Sequence, residues 1–356
     1  MAEVSTAPAR ARGGLRIGAG DGVRLAVIVA LLVFCFVALP PLLSAYWTDV
    51  STSVVIYSVV ALGLNLLMGR VGMVSLGQIA VLALGAWIGA RLLFGTGLPF
   101  PIVLLIDGLL TMVLGTLIGL PALRLSGLYL ALITLMLAGA ISVVLAATNF
   151  PNGGGGFKGY TDTIKGSANV RRPEIATSDP AYFRYTLVCA ALLFLLALWH
   201  VRSKPGRAWA AIRQSEPAAL AAGVNMTLYK LWAFALASFM TGVAGALLAS
   251  QVNHLYTFQF RTIDSILLLA VVLMGGIYSL WGAIIAGAFM KLLPALLDNW
   301  GLPADLLTIL FGVGVLQVLL TAPGGVSQQF PRDMARLGGA IGRLFKRGQP
   351  AREAAK

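Results

Sequence analysis

The sequence predicts an all-α, polytopic membrane helix bundle of about ten transmembrane helices, with N and C termini cytoplasmic. Hydrophobic residues make up 58% of the 356 and charged residues only 11%, a balance that a water-soluble domain does not need. Apolar runs close to the roughly 20 residues that cross a bilayer recur along the chain. Basic residues collect in a few segments between and beyond those runs.

Spans are placed at 25–43, 50–68, 75–93, 101–120, 127–147, 184–200, 229–250, 264–280, 282–297 and 303–321. All are read as helices, because lipid offers no partner for unpaired backbone groups. Arg10, Arg12, Arg16 and Arg24 precede the run 25–43, which is long for the apolar part of a signal peptide and lacks a small-residue cleavage site. It is therefore read as a retained first span. Residues 1–24 and 322–356 form basic tails around a permease domain at 25–321.

Charge sets the topology. The tail beyond Pro323 holds seven basic residues against Asp333 and Glu353, and the loop 201–228 carries Arg202, Lys204, Arg207 and Arg213. The positive-inside bias puts both, with the N-terminal tail, in the cytoplasm. An even number of crossings must then separate the 201–228 loop from the C-terminal tail, which requires the apolar stretch 264–297 to be two spans broken near Gly275, Gly276 and Gly282. The loop 148–183 falls outside, with four basic residues against three acidic ones.

Within the spans, Gly85-x-x-x-Gly89 and Gly115-x-x-x-Gly119 put small residues on one helix face and favour close backbone approach. Ser75-Leu-Gly-Gln78 has the form of a capping box that starts span three after a Gly69-Arg-Val-Gly72 turn. Equally, Ser75 and Gln78 lie where a helix N-terminus can hold a carboxylate on a substrate path. Asn65, Tyr129 and Thr134 are the other isolated polar residues suited to that path, or to bonding a neighbouring helix. Asp107 and Lys291 sit at similar depth and either pair or reach the outer interface separately.

Several chemistries find no support. The run Asn152 to Gly159 is glycine-rich, but the chain has no Gly-Lys dipeptide and so no phosphate-binding loop of the ATPase type. The histidines, His200 and His254, lie near opposite predicted faces, and Cys35 and Cys189 read as buried hydrophobes. No catalytic residue, metal, cofactor or nucleic-acid partner is expected.

The segment 206–223 is a basic, helix-forming stretch caught between two spans. Trp209 and Ile212 fall three apart and give a short helix one apolar stripe; Ser215 can cap a second helix with Pro217 in its first turn, ended by Gly223. Either this knob docks a partner, or it lies as an amphipathic helix on the headgroups.

Gly63-Leu-Asn-Leu66, Gly72-Met-Val-Ser-Leu-Gly-Gln78, Leu123-Arg-Leu-Ser-Gly-Leu-Tyr-Leu-Ala131, Gly206-Arg-Ala-Trp-Ala-Ala-Ile-Arg213 through Gly223, and Gly275-Gly-Ile-Tyr-Ser279 occur in this order over most of residues 50–325. The series resembles the permease subunits of high-affinity branched-chain amino acid ABC importers, most of all the M-type subunit. It departs from them in lacking a proline in His254 to Phe260 and in its four glycines at 153–156.

The resemblance implies a bacterial inner-membrane subunit working with a second permease subunit, two cytoplasmic ABC ATPases, a periplasmic substrate-binding protein and the lipid bilayer. It also implies coupling to the ATPase through Arg207, Arg213, Glu216 and Gly223, with Trp209 and Ile212 on the same segment. Glu216→Lys, or a bulky β-branched residue at Gly223, is expected to uncouple ATP hydrolysis from transport while leaving membrane insertion intact, since the knob should contribute little to bundle packing. Urea, amides or small aromatic acids are alternative substrates. An ion-coupled secondary transporter is disfavoured by the scarcity of titratable groups in the spans, and an intramembrane enzyme by the lack of a nucleophile with a base.

Overall fold

The computed structural model describes residues 29–120, 127–147, 172–252, 255, 259–302, 304–321 and 325–327, which are helical with no strand among them. Residues 1–44 and 45–356 divide into two compact units. In the first, the helix over 29–37 breaks at Ala38 and resumes as Leu39–Leu42, where Pro40 and Pro41 have no amide hydrogen to continue the earlier ladder. The predicted span 25–43 is thus a broken helix where it is described.

The second unit begins with α1 (Ala45–Asn65), α2 (Gln78–Gly95), α3 (Phe100–Gly119), α4 (Leu128–Ala147) and α5 (Asp179–Arg202). The short helices α6 (Lys204–Gln214) and α7 (Glu216–Ala221) follow, then α8 (Met226–Val252), α9 (Thr262–Gly275), α10 (Leu280–Asn299) and α11 (Ala304–Thr321). Every predicted span from 50–68 onward therefore corresponds to a helix. Six are long and apolar enough to cross a membrane, and Gln78–Leu93 and Thr262–Gly275 are shorter apolar helices. This is a multi-pass helical membrane protein.

The innermost helix is α8, whose small residues let its neighbours approach to backbone contact. On α2, Gly85 abuts Gly242 and Gly89 abuts Ala246; on α3, Gly115 abuts Ser238 and Gly119 abuts Phe234. Both glycine pairs of the sequence are helix-contact faces, as their spacing suggests. The order of contacts also fixes direction: α2 runs parallel to α8, and α3 antiparallel.

The stretch 264–297 is two helices. They are separated at Gly276, whose φ of +110° suits glycine and which accepts the amide of Ser279. Gly282, expected near the break, is in the first turn of α10, where an added Cβ would run into the Gly275–Gly276 backbone. Tyr278 in this turn touches Arg213 of α6, and Gly325, past α11, abuts Gly276. The 276–279 turn, the knob and the chain after α11 therefore share one end of the bundle. At the other end, Arg172 bonds the Ser250 carbonyl and Gln251 bonds Asp49. The alternation demanded by charge parity is present in the second unit.

Two local readings change. The Gly69-Arg-Val-Gly72 segment is not a turn but the end of a π-helical continuation of α1, Leu66–Val71, closed at Gly72. Nor do Ser75 and Gln78 form a capping box: the cap of α2 is Gly77, without a side-chain bond, because the Gln78 side chain has a partner on α8.

Candidate functional site

Residues 72–77 run irregularly between α1 and α2, yet Ser75, Leu76, Gly77 and Gln78 are buried. Irregular backbone at this depth needs protein partners for its polar groups. The Leu76 amide donates to the Thr134 hydroxyl at 2.9 Å, and that hydroxyl in turn donates to the Leu130 and Ala131 carbonyls. The Gly77 amide reaches the Ser75 hydroxyl at 3.4 Å. Gln78 accepts through Oε1 from the Thr241 hydroxyl of α8 at 2.9 Å, both residues being buried. Asn65, also buried, donates through Nδ2 to the Ser279 carbonyl at 2.7 Å and so pins the end of α1 to the turn before α10.

The structure thus brings Ser75, Gln78 and Thr134 together around the entry of α2 and places Asn65 at the adjoining end of α1. Tyr129 stands apart, 72% exposed on α4. Thr241 was missed by sequence reasoning: a single threonine in a span rich in Ala, Leu and Gly carries no signal until its partner is known. Thr241→Val, which keeps the shape and removes the donor, leaves the Gln78 carbonyl unpaired. Its expected cost is about 1 kcal/mol, read as a small fall in thermal unfolding temperature.

The knob has the predicted plan. Ser215 caps α7, accepting from the Ala218 amide, with Pro217 in the first turn; Gly223, at φ +77°, closes it while the Val224 amide bonds the Ala219 carbonyl. Its attachment differs from expectation. Trp209 and Ile212 are 0% and 2% exposed, and Trp209 Nε1 donates to the Tyr229 carbonyl at 2.8 Å. Arg213 donates to the Gly69 carbonyl at 2.8 Å and lies 4.3 Å from the Tyr278 ring centroid. Glu216 accepts from Lys230 of α8 at 2.7 Å, where the lysine is buried and the glutamate half exposed.

The expectation that this segment contributes little to bundle packing is therefore wrong. The apolar stripe of α6 faces inward because an interfacial helix with an indole on one face gains more from burying it than from leaving it in water. The outward surface is instead the solvent side of Glu216, Leu220 and Gly223, while Arg207 and Arg213, also exposed, line a recess with Gly69 and Arg70. Lys230, Tyr229 and Tyr278, which hold the knob in place, carry no pattern that marks them in the sequence.

Asp107 is fully buried on α3 and makes no salt bridge among the described residues. Lys291 lies 4.1 Å from the centroid of the Tyr57 ring, so the two do not pair. His200 Nδ1 lies 2.9 Å from the Leu196 carbonyl within α5; His254 and the glycine run 153–156 lie outside the described residues.

The polar entry to α2 and the knob between α5 and α8 fall inside the segment 46–319, which matches the family of branched-chain amino acid transport system permease components. The chain belongs to that family. Similar proteins include the high-affinity branched-chain amino acid transport system permease protein LivM of Salmonella typhimurium, 31% identical over 335 residues, covering 88% of this chain and 78% of the relative. LivM of Escherichia coli is 31% identical over 338 residues, with the same coverage of each chain. No solved structure matches the chain significantly. As a permease component the protein is a transport subunit rather than a catalytic one.

Proposed function

We propose that this permease carries leucine, isoleucine or valine across the bacterial inner membrane as one subunit of an ATP-driven importer, by alternating access. It would work with a second permease subunit, two cytoplasmic ABC ATPases and a periplasmic substrate-binding protein, and hold no nucleotide site of its own. In this reading both termini, the 276–279 turn and the loop 201–228 face the cytoplasm, and the loop 148–183 faces out. Asn65, Ser75, Gln78, Thr134 and, on the exposed face of α4, Tyr129 border the translocation path. An aliphatic amino acid needs such a path, apolar with a few polar groups for its charged ends.

The observation that carries the ATP-coupled reading is the knob: a structured pair of short helices outside the spans, tied on one side to α8 and on the other to the π-helical end of α1. A push on its outward face, from Glu216 to Gly223, reaches α8 through Trp209 and the Glu216–Lys230 pair. It reaches α1 through Arg213. Those two helices carry Thr241, which holds Gln78, and Asn65.

Two substitutions separate attachment from coupling. Nothing lies within 4 Å of a Cβ added at Gly223, so Gly223→Val meets only the strain of φ +77°, about 1 to 3 kcal/mol, confined to the end of α7. It should abolish stimulation of the ATPase by loaded binding protein with a small change in unfolding temperature. Glu216→Lys should abolish stimulation and also lower the unfolding temperature clearly, since it leaves the buried Lys230 ammonium unpaired beside a second cation. Substrate class is tested by a ligand screen of the binding protein that works with this permease. Tight binding of leucine, isoleucine or valine is expected; response to urea, an amide or an aromatic acid alone would replace the substrate while leaving the permease assignment in place.

A further inference from the structure

Between α6, the last turn of α5 and the π-helical end of α1 lies a half-open cavity of about 540 Å³. Gly69, Arg70, Val201, Arg207, Arg213 and Gln214 are among its lining residues, and no carboxylate is. Three guanidinium groups thus converge on one recess without a counter-ion, since the salt bridges among the described residues are Arg172–Asp179, Lys230–Glu216 and Arg261–Asp264.

The arginines are not idle in the same way. Among the described residues, half-buried Arg70 donates once, to the Tyr278 carbonyl at 3.2 Å, and Arg213 donates once, to the Gly69 carbonyl, and stacks on Tyr278. Each guanidinium has five donors, so these single bonds aim the groups and leave most of their donors open. Among the described residues the Arg207 side chain makes neither a hydrogen bond nor an ion pair. Like charges held this close repel one another, and only an anion between them relieves it.

We propose that this cavity binds a phosphate oxyanion, supplied by the headgroup of an anionic phospholipid or by soluble phosphate. A carboxylate saturates one guanidinium fork with its two oxygens, whereas a phosphate group offers enough acceptors for three. The cavity exceeds the volume of a phosphate group and has room for the glycerol of a headgroup. Val201, in the final turn of a helix long enough to span the membrane, lines it and places the recess at headgroup depth. The site does not depend on Arg207 and Arg213 meeting an ATPase, because a lipid would fill the concave side of α6.

The test is native mass spectrometry of the purified full-length chain, with and without its ATPases, offered phosphatidylglycerol or phosphatidylcholine. One phosphatidylglycerol should be retained in preference to phosphatidylcholine, and retention should fall roughly tenfold with each of Arg70→Gln and Arg207→Gln, the loss of a charge-assisted hydrogen bond. Lys204→Gln, on the same helix but outside the cavity, should change nothing. Arg207→Gln removes a side chain without partners among the described residues, so its effect is not one of misfolding.

Short-chain phosphatidylglycerol and inorganic phosphate, added separately, distinguish the source. A rise in unfolding temperature with the lipid alone assigns the headgroup, and a rise with phosphate that disappears in the double variant assigns soluble phosphate. Equal retention of the two lipids with no response to phosphate, or a preference for phosphatidylglycerol that survives in the double variant, overturns the proposal.

Discussion

Replacing Gly85 by valine will abolish accumulation of folded permease. A Cβ at this position would lie 2.7 Å from the Gly242 Cα and 2.8 Å from its carbonyl oxygen, distances at which only backbone displacement relieves the clash. The branched methyls add to it. Since Gly245 packs so closely on Ala86 and Leu82 across the same crossing that an added Cβ would lie 2.5 Å from the Ala86 nitrogen, α2 cannot slide to escape without driving a second contact together. Overpacking commonly costs about 1 to 3 kcal/mol where side chains can yield, and backbone against backbone cannot.

Separating α2 from α8 also breaks the Gln78–Thr241 bond and strips the Leu76 amide of its fixed register with Thr134. Size-exclusion of a fluorescent fusion in detergent reads the outcome: a monodisperse peak for the wild type and an aggregate for Gly85→Val. Gly312 of α11, with nothing within 4 Å of an added Cβ, is the control. Gly312→Ala should keep the peak and raise the unfolding temperature slightly, helix propensity adding about 0.5 to 1 kcal/mol of stability.

Trp209→Ala should be the most damaging change outside the spans. The indole is wholly buried, and its Nε1 is the donor to the Tyr229 carbonyl, in the first turn of α8. Truncation removes the transfer free energy, opens a cavity and loses the indole hydrogen bond, together about 3 to 5 kcal/mol. The loss falls on the joint between the knob and α8. The unfolding temperature should drop by several degrees and ATPase stimulation should disappear. Trp209→Phe, which keeps the apolar volume but not the donor, should recover most of the stability. Leu220→Ala, on the exposed face of α7, should leave stability within about 0.5 kcal/mol; if coupling also survives it, the outward surface of the knob is not a docking face.

What was legible in the sequence follows from the range of the interactions concerned. Helix positions come from apolar run length, and the division of 264–297 from charge parity, because both are imposed by the bilayer as a solvent. The small-xxx-small spacings on α2 and α3 announced a contact face, since backbone approach requires absence of side chains at a fixed period. They did not name α8 as the common partner, which depends on the fold.

Ser75 and Gln78 misled for a related reason. A capping box is a local competition, and Gln78 takes a hydroxyl 163 positions away instead. Trp209 and Ile212 were correctly seen as one stripe, but a period says only that a face is buried, not whether against the chain itself or against a partner. Gly69 and Gly72 read as a turn because glycine spacing does not distinguish a turn from the close of a π-helix. Lys230 carries no signal in the sequence; its role is visible only once Glu216 stands opposite it.

The central claim is that this chain transports only as part of an ATP-driven assembly. The direct measurement is uptake of radiolabelled leucine, isoleucine or valine into proteoliposomes containing the chain with its second permease, ATPases and loaded binding protein. Uptake should require ATP, the binding protein and an intact knob, and stop with Gly223→Val. Uptake by the purified chain alone, driven by an ion gradient and indifferent to ATP, would contradict it.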